Sequence, residues 1–168
     1  MTNQTDLSIE LGHYLTVLIS HTQHLEFKKW SRELAKVGLS WQQFAVLHEI
    51  MVFDGIPTPH TIAKKMVFEA HTISSIITRM ERDGLVVKIN DLKYKNMVRI
   101  EPTEKAKSMM EAAWKTLRGL DDFWFSCLTR DEALQLANYL EKIRNFNISS
   151  IYNDEKNLTP YTIKTIDK

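Results

Sequence analysis

The stretch HTISSIITRMERDGLVVKIN, residues 71–90, constrains the fold of this chain more than any other. With residues 71–82 on a helix, Ile73, Ile76, Ile77 and Met80 fall on one stripe and must face a core. The other side is left with Thr72, Ser75 and Arg79, flanked by His71, Ser74, Thr78 and Arg82. A helix that merely faced water would carry Glu, Lys and Gln there, since these form helices better than Ser and Thr. Short hydroxyls suit a helix that must come very close to a partner. After Arg-Asp-Gly the pattern changes to that of a β-branched strand, LVVKI.

The segments around this stretch complete the pattern. From Leu7 to Val37, apolar residues recur at helical steps (Leu7, Leu11, Tyr14, Leu15, Leu18, Leu25, Trp30, Leu34), a long span for a helix inside a small domain. Gly38 follows, where a left-handed residue can end the helix. SWQQ opens a second helix with Ser40 and Gln43 as a capping box, and its buried face is expected at Trp41, Phe44, Leu47 and Met51, with Ala45 and His48 beside them. Thr58-Pro59 reads as a cap and a first-turn proline for a short helix, followed by about four residues of turn, VFEA. LVVKI and MVRIE, joined by NDLKYKN, read as a hairpin with a charged tip. Thr103 caps a helix striped by Ala106, Met109, Met110, Ala113, Leu117 and Leu120, and TRDE, Thr129 to Glu132, caps a last one through Leu136, Leu140 and Ile143.

The fold class expected is mainly α with a small β-hairpin wing: a winged helix-turn-helix flanked by long N- and C-terminal dimerisation helices. The division expected is residues 1–38 for the N-terminal dimerisation helix and 39–101 for the DNA-binding domain. Residues 102–151 form the C-terminal dimerisation helices, and 152–168 an extended or disordered tail. The net charge of +1 hides an asymmetry. Between Pro57 and Arg99 stand eight Lys/Arg and four acids, about +4, which leaves about −3 for the remainder. A basic middle between acidic flanks points to a polyanion on one face. A major groove is about wide enough for one helix, and short side chains let it lie deep there. Ser and Thr then bond to base edges or phosphates, and Arg79 and Arg82 pair with phosphate oxygens.

These runs, SWQQFAVLHEI, TPHTIAKKMVFEAHTISSIITRMERDGLV, MVRIEPTEKA and LTRDEALQLANYLEKI, resemble the MarR family of winged-helix transcriptional regulators over about residues 7–148. The resemblance implies a symmetric homodimer with interleaved terminal helices, binding a pseudo-palindromic duplex DNA operator. By position it places recognition-helix contacts on His71, Thr72, Ser74, Ser75 and Thr78, with Arg79 on the backbone side, and wing contacts on Lys93, Lys95 and Asn96. Lys64 and Lys65 are phosphate contacts or simply a solvated face, evenly balanced, and Lys64 is counted among the expected DNA contacts. Three positions depart from the family's pattern. Lys95 and Asn96 stand where the wing usually has two adjacent Arg residues; Val67 stands where a small residue is common; Glu69 stands where a Ser or Asp cap is usual.

Trp30, Trp41, Phe44, His48 and Trp114 are either core or the lining of a cleft for a small aromatic or phenolic effector, where the family's pocket lies. His13, His21 and His24 do not make the three or four converging ligands a metal site needs, so no metal and no cofactor is expected. Cys127, the single cysteine, fits a reducing compartment and is expected to pack as a small buried hydrophobe. No secretory leader and no transmembrane run is visible, so the expected location is the cytoplasm, away from membranes. No phosphate loop, GxSxG or HExxH is present, and no enzyme activity is expected. The function expected is a sequence-specific DNA-binding repressor released by a small molecule. A protein-interaction module on the same winged helix, or a redox- or metal-sensing regulator, is the alternative.

Overall fold

The computed structural model describes residues 3–90 and 97–152, with the side chains of 3–8, 121–124 and 152 left out of account. Its elements follow in the order expected: α1 (Asn3–Lys36), α2 (Trp41–Val52), α3 (Pro59–Met66), α4 (Ala70–Arg82), β1 (Val86–Asn90), β2 (Val98–Pro102), α5 (Glu104–Phe125) and α6 (Arg130–Tyr152). The strands form one antiparallel hairpin, with Val86 opposite Pro102 and Lys88 opposite Ile100. The architecture is a winged helix-turn-helix between long helices. Among the described residues no helix is long and apolar enough to cross a membrane.

Local chemistry sets most of the boundaries. Gly38 has φ +78°, and the Leu39 amide closes back on the Leu34 carbonyl at 3.1 Å, ending α1. Ser40 and Gln43 form a reciprocal capping box at the start of α2. Thr58 and Thr61 do the same for α3, with Pro59 at its first position. Gly84, at φ +70°, lets the Leu85 amide reach the Met80 carbonyl at 2.8 Å, which ends α4 and releases β1. The Thr103 hydroxyl accepts the Ala106 amide at 3.2 Å and donates to the Gly84 carbonyl at 2.8 Å, so one side chain starts α5 and pins the turn after α4. At α6 the Glu132 carboxylate accepts from both the amide and the hydroxyl of Thr129, each at 2.8 Å, and these bonds hold it below the usual carboxylate range.

The core gathers Leu34 of α1, Val46, Leu47 and Ile50 of α2, Ile62 of α3, and the full stripe Ile73, Ile76, Ile77 and Met80 of α4. Val86 and Ile100 of the hairpin and Ala106, Met110, Ala113 and Leu117 of α5 close it. The stripe of α5 is as the sequence indicates. The face of α2 is corrected: Met51 is 46% exposed, and Val46 and Ile50 are buried instead, because α2 packs against α1, α3, α4, α5 and β2 rather than against one surface. Cys127 is also corrected. It lies beyond the end of α5, in the connection to α6, and is exposed rather than packed inside.

Outside the core the terminal helices stay apolar and uncovered. Leu11, Tyr14, Leu15, Leu18, Leu25 and Phe27 of α1 are exposed, as are Leu136, Tyr139, Leu140, Ile143 and Phe146 of α6. Of the described side chains of α6 only Ile148 is buried. Exposed apolar surface on this scale marks an association surface.

Candidate functional site

Two places concentrate chemistry. The first is the outer side of α4. His71, Ser74, Ser75, Thr78 and Arg79 are exposed there and Thr72 is half-buried, while the four aliphatic side chains behind them are buried. The structure thus brings the six recognition-helix candidates onto one short-chained surface. Lys88 of β1 reaches back to it, donating to the Thr78 hydroxyl at 3.3 Å while pairing with Glu81 at 2.7 Å. The helix begins at Ala70, one residue before the expected start, and Glu69 occupies the cap position without any side-chain capping bond.

The basic residues of this half divide in a way the sequence does not show. Arg99 pairs with Glu101 at 2.8 Å, Lys88 with Glu81, and Arg82 more loosely with Asp83 at 3.5 Å. Lys65 turns inward, its ammonium 2.9 Å from the carboxylate of Glu49, which is 4% exposed, so its balance falls against a phosphate role. Lys64 and Arg79 are exposed and in no ion pair among the described residues. The wing candidates Lys93, Lys95 and Asn96 lie outside the described residues.

The second place is a cavity of about 400 Å³ where α1, α2, the end of α3, α5 and α6 meet. All five aromatic candidates line it: Trp30, Trp41, Phe44, His48 and Trp114. Their rings lock edge to face, Trp30 against Trp41 at 4.9 Å, Phe44 against Trp114 at 5.1 Å and His48 against Trp114 at 5.2 Å between centroids. Core and cleft are therefore not exclusive here, since the rings pack on one another and still bound a space. A volume of this order is that of small-molecule sites. Burial pushes the His48 imidazole below its ordinary value, with Lys65 adding to the effect and Glu49 opposing it, so this ring is neutral near pH ~7.

Sequence reasoning missed the polar lining, Glu49, Lys65 and Arg144, together with Met66, Val67 and Ile148. Glu49 follows Ala45 by one helical turn on α2 and was there to be found. Arg144 was not, since only the tertiary arrangement brings α6 to this cavity. Val67 ends α3 in the left-handed region, φ 58°, ψ 44°, where a β-branched residue is strained. Among the described residues no three His, Cys, Asp or Glu side chains converge as metal ligands.

Comparison with known proteins places these features. A family model described as MarR family matches residues 37–93. Crystal structures of the organohalide sensing RdhR-CbdbA1625 transcriptional regulator, one ligand free and one in a 2,4-dichlorophenol bound form, are 39% and 38% identical to this chain. Each covers 96% of this chain, which covers 95% of it, with a TM-score of 0.82. A mutant MarR from E. coli complexed with operator DNA is 20% identical, with a TM-score of 0.72 over 84% of this chain and 99% of that one, and shares the fold. An HTH-type transcriptional regulator of Bacillus subtilis (strain 168), YwaE, is 24% identical over 137 residues, 82% of this chain and 80% of that protein.

Proposed function

This chain belongs to the MarR family of transcriptional regulators, and from that premise we propose how it works: as a cytoplasmic homodimeric repressor that an aromatic small molecule releases from its operator. One observation carries the DNA-reading half of the proposal. The exposed side of α4 carries the short hydroxyls Ser74, Ser75 and Thr78 with His71 and Arg79, ends in Glu81 and Arg82, and is backed by the buried stripe Ile73, Ile76, Ile77 and Met80. His71, Thr72, Ser74, Ser75 and Thr78 face base edges in the major groove, while Arg79 and Lys64 neutralise phosphates on either side. Lys93, Lys95 and Asn96 of the wing contact the neighbouring backbone. Lysine there gives charge without the forked contact of arginine, so the wing contributes affinity more than base reading.

The apolar sides of α1 and α6 meet their counterparts in a second copy, making residues 1–38 and 102–151 the dimerisation parts around a DNA-binding domain at 39–101. Two α4 helices then sit about one turn of duplex apart, ~34–36 Å, on an inverted repeat. The aromatic cavity is the effector site. Its walls belong both to the dimerisation helices and to the end of α3, one short turn before α4. A molecule filling it changes the angle between them, and so the spacing of the two recognition helices. The relative that binds 2,4-dichlorophenol supports a phenolic ligand of this size.

The test is selection of bound fragments from genomic DNA, followed by affinity measurement on the enriched duplex across a range of salt. An inverted repeat, a steep fall of affinity with salt, and weakening by 2,4-dichlorophenol are expected. Arg79→Ala should weaken binding to every duplex and lower the salt slope by about one, whereas Ser75→Ala should change which base is preferred. Unchanged affinity of Arg79→Ala for all duplexes would remove Arg79 from the interface.

A further inference from the structure

One charge at the front of α4 has the wrong sign for DNA and nothing to neutralise it. Glu69 stands at the cap position, extended at φ −65°, ψ 139°, and makes no side-chain capping bond. The amide of Thr72, which a capping side chain would take, bonds instead to the Glu69 carbonyl at 3.0 Å. One helical turn further on stand Thr72 and Ile73, neither of them a cation. Arg79, the first arginine of α4, lies about 15 Å along the helix axis. Glu69 is exposed and in no ion pair among the described residues. An acid at the end of a helix that approaches phosphates lowers affinity for DNA in general, and only a partner that donates to it offsets that cost.

We propose that Glu69 is a specificity-determining residue, its carboxylate accepting from the N4 amino group of a cytosine in each half-site, at the base pair that the front of α4 meets. This rests on the DNA-reading role of α4 given above and adds one base of the operator to it. In helix-turn-helix proteins the N-terminal residues of the reading helix meet the base edges, and Glu69 stands there. Ala70 beside it is exposed and ends at its β-carbon, so no bulk holds the backbone away. A carboxylate accepts and does not donate, whereas the hydroxyls of Ser74, Ser75 and Thr78 do either and adapt to more than one base. In the major groove guanine offers two acceptors, and thymine an acceptor beside a methyl group, so both leave a carboxylate opposed. Adenine offers its amino group next to the N7 acceptor. Cytosine alone offers an amino group with no acceptor beside it. Glu69 thus acts in two directions. It gains a charge-assisted bond on the right base pair and is repelled by phosphates wherever that bond is missing, which weakens binding to unrelated DNA.

The test is selection from a randomised duplex library by the full chain and by its Glu69→Gln and Glu69→Ala variants, with thermal unfolding to establish that all three fold. The native chain is expected to select a cytosine at one symmetric position of an inverted repeat, and exchanging that base pair should lower affinity about tenfold or more. Glu69→Gln, of the same shape, should turn that position to adenine, whose N6 and N7 a glutamine amide matches. Glu69→Ala should leave the position without preference and every other position as it was. Both variants should bind a fixed, unselected duplex about threefold more tightly than the native chain at low salt. The same base selected by all three chains, a base other than cytosine at the position the variants change, or a weakening spread evenly over the site, as a merely structural residue gives, overturns the assignment and leaves α4 as the reading helix. A native selection without an inverted repeat overturns the DNA-reading role itself.

Discussion

The ion pair between Glu49 and Lys65 can be tested most directly through stability. Glu49 is 4% exposed, the Lys65 side chain 19%, and their charged atoms are 2.9 Å apart. At an effective dielectric of about 20, that separation gives an attraction of ~5–6 kcal/mol, which the loss of hydration of both groups largely offsets. Removing one partner leaves the other charge enclosed, and the cost is then that of an uncompensated charge. Glu49→Gln should therefore lower stability by about 3 kcal/mol, and Lys65→Met by a similar amount. The double variant, with no charge left, should return to within ~1 kcal/mol of the native chain, giving a coupling of several kcal/mol. Urea unfolding at one fixed protomer concentration measures all three, the fixed concentration being needed because association contributes to stability. Additive losses in the double variant would mean that the two groups do not act as a pair.

Phe146 of α6 is 73% exposed in the single chain, and Phe146→Asp should shift the protein toward monomer in sedimentation and weaken operator binding, while Leu47→Asp, in the buried core, should abolish folding altogether. A dimer unaffected by Phe146→Asp would place the association surface elsewhere. Because folded His48 resists protonation more than the unfolded chain does, stability should be full above the ordinary imidazole value of ~6.5 and fall as pH drops through it. His48→Gln should remove that part of the slope in unfolding measured across pH, and an unchanged slope would assign it to other groups. Val67→Asn replaces a β-branched residue in a left-handed conformation by one that adopts it more easily, and should raise stability by about 0.5–1 kcal/mol in thermal unfolding. A loss instead would show that the valine's contact with the cavity outweighs its backbone strain.

Much of the architecture was legible because it is written locally. The stripe of Ile73, Ile76, Ile77 and Met80 repeats at helical spacing, and Ser40, Thr58, Thr103 and Thr129 begin helices through bonds that span three residues. The aromatic lining was legible for the same reason in part, since Trp41, Phe44 and His48 share one side of α2. What escaped depends on contacts distant in sequence. Lys64 and Lys65 are adjacent and alike in the sequence, yet one faces solvent and the other Glu49, a distinction set by how α3 lies across α2. Met51 fits the periodic pattern of α2 and is exposed all the same, because burial there follows from several neighbouring elements, α1, α3, α4, α5 and β2, rather than from one. Cys127 sits among apolar neighbours in sequence but past the end of α5, in the turn before α6, where it is exposed.

The uncovered sides of α1 and α6 carry a genetic consequence. In the proposed dimer these helices find their hydrophobic complement on a sibling chain, and partners joined through so much apolar surface are expected to exchange slowly. A cell making both the native chain and a copy damaged only on the outer side of α4 will hold much of its native protein in hybrid pairs, each with one competent reading head. Since an operator of two half-sites needs both heads, such a damaged allele should be dominant, silencing more of the regulator than its own share of synthesis.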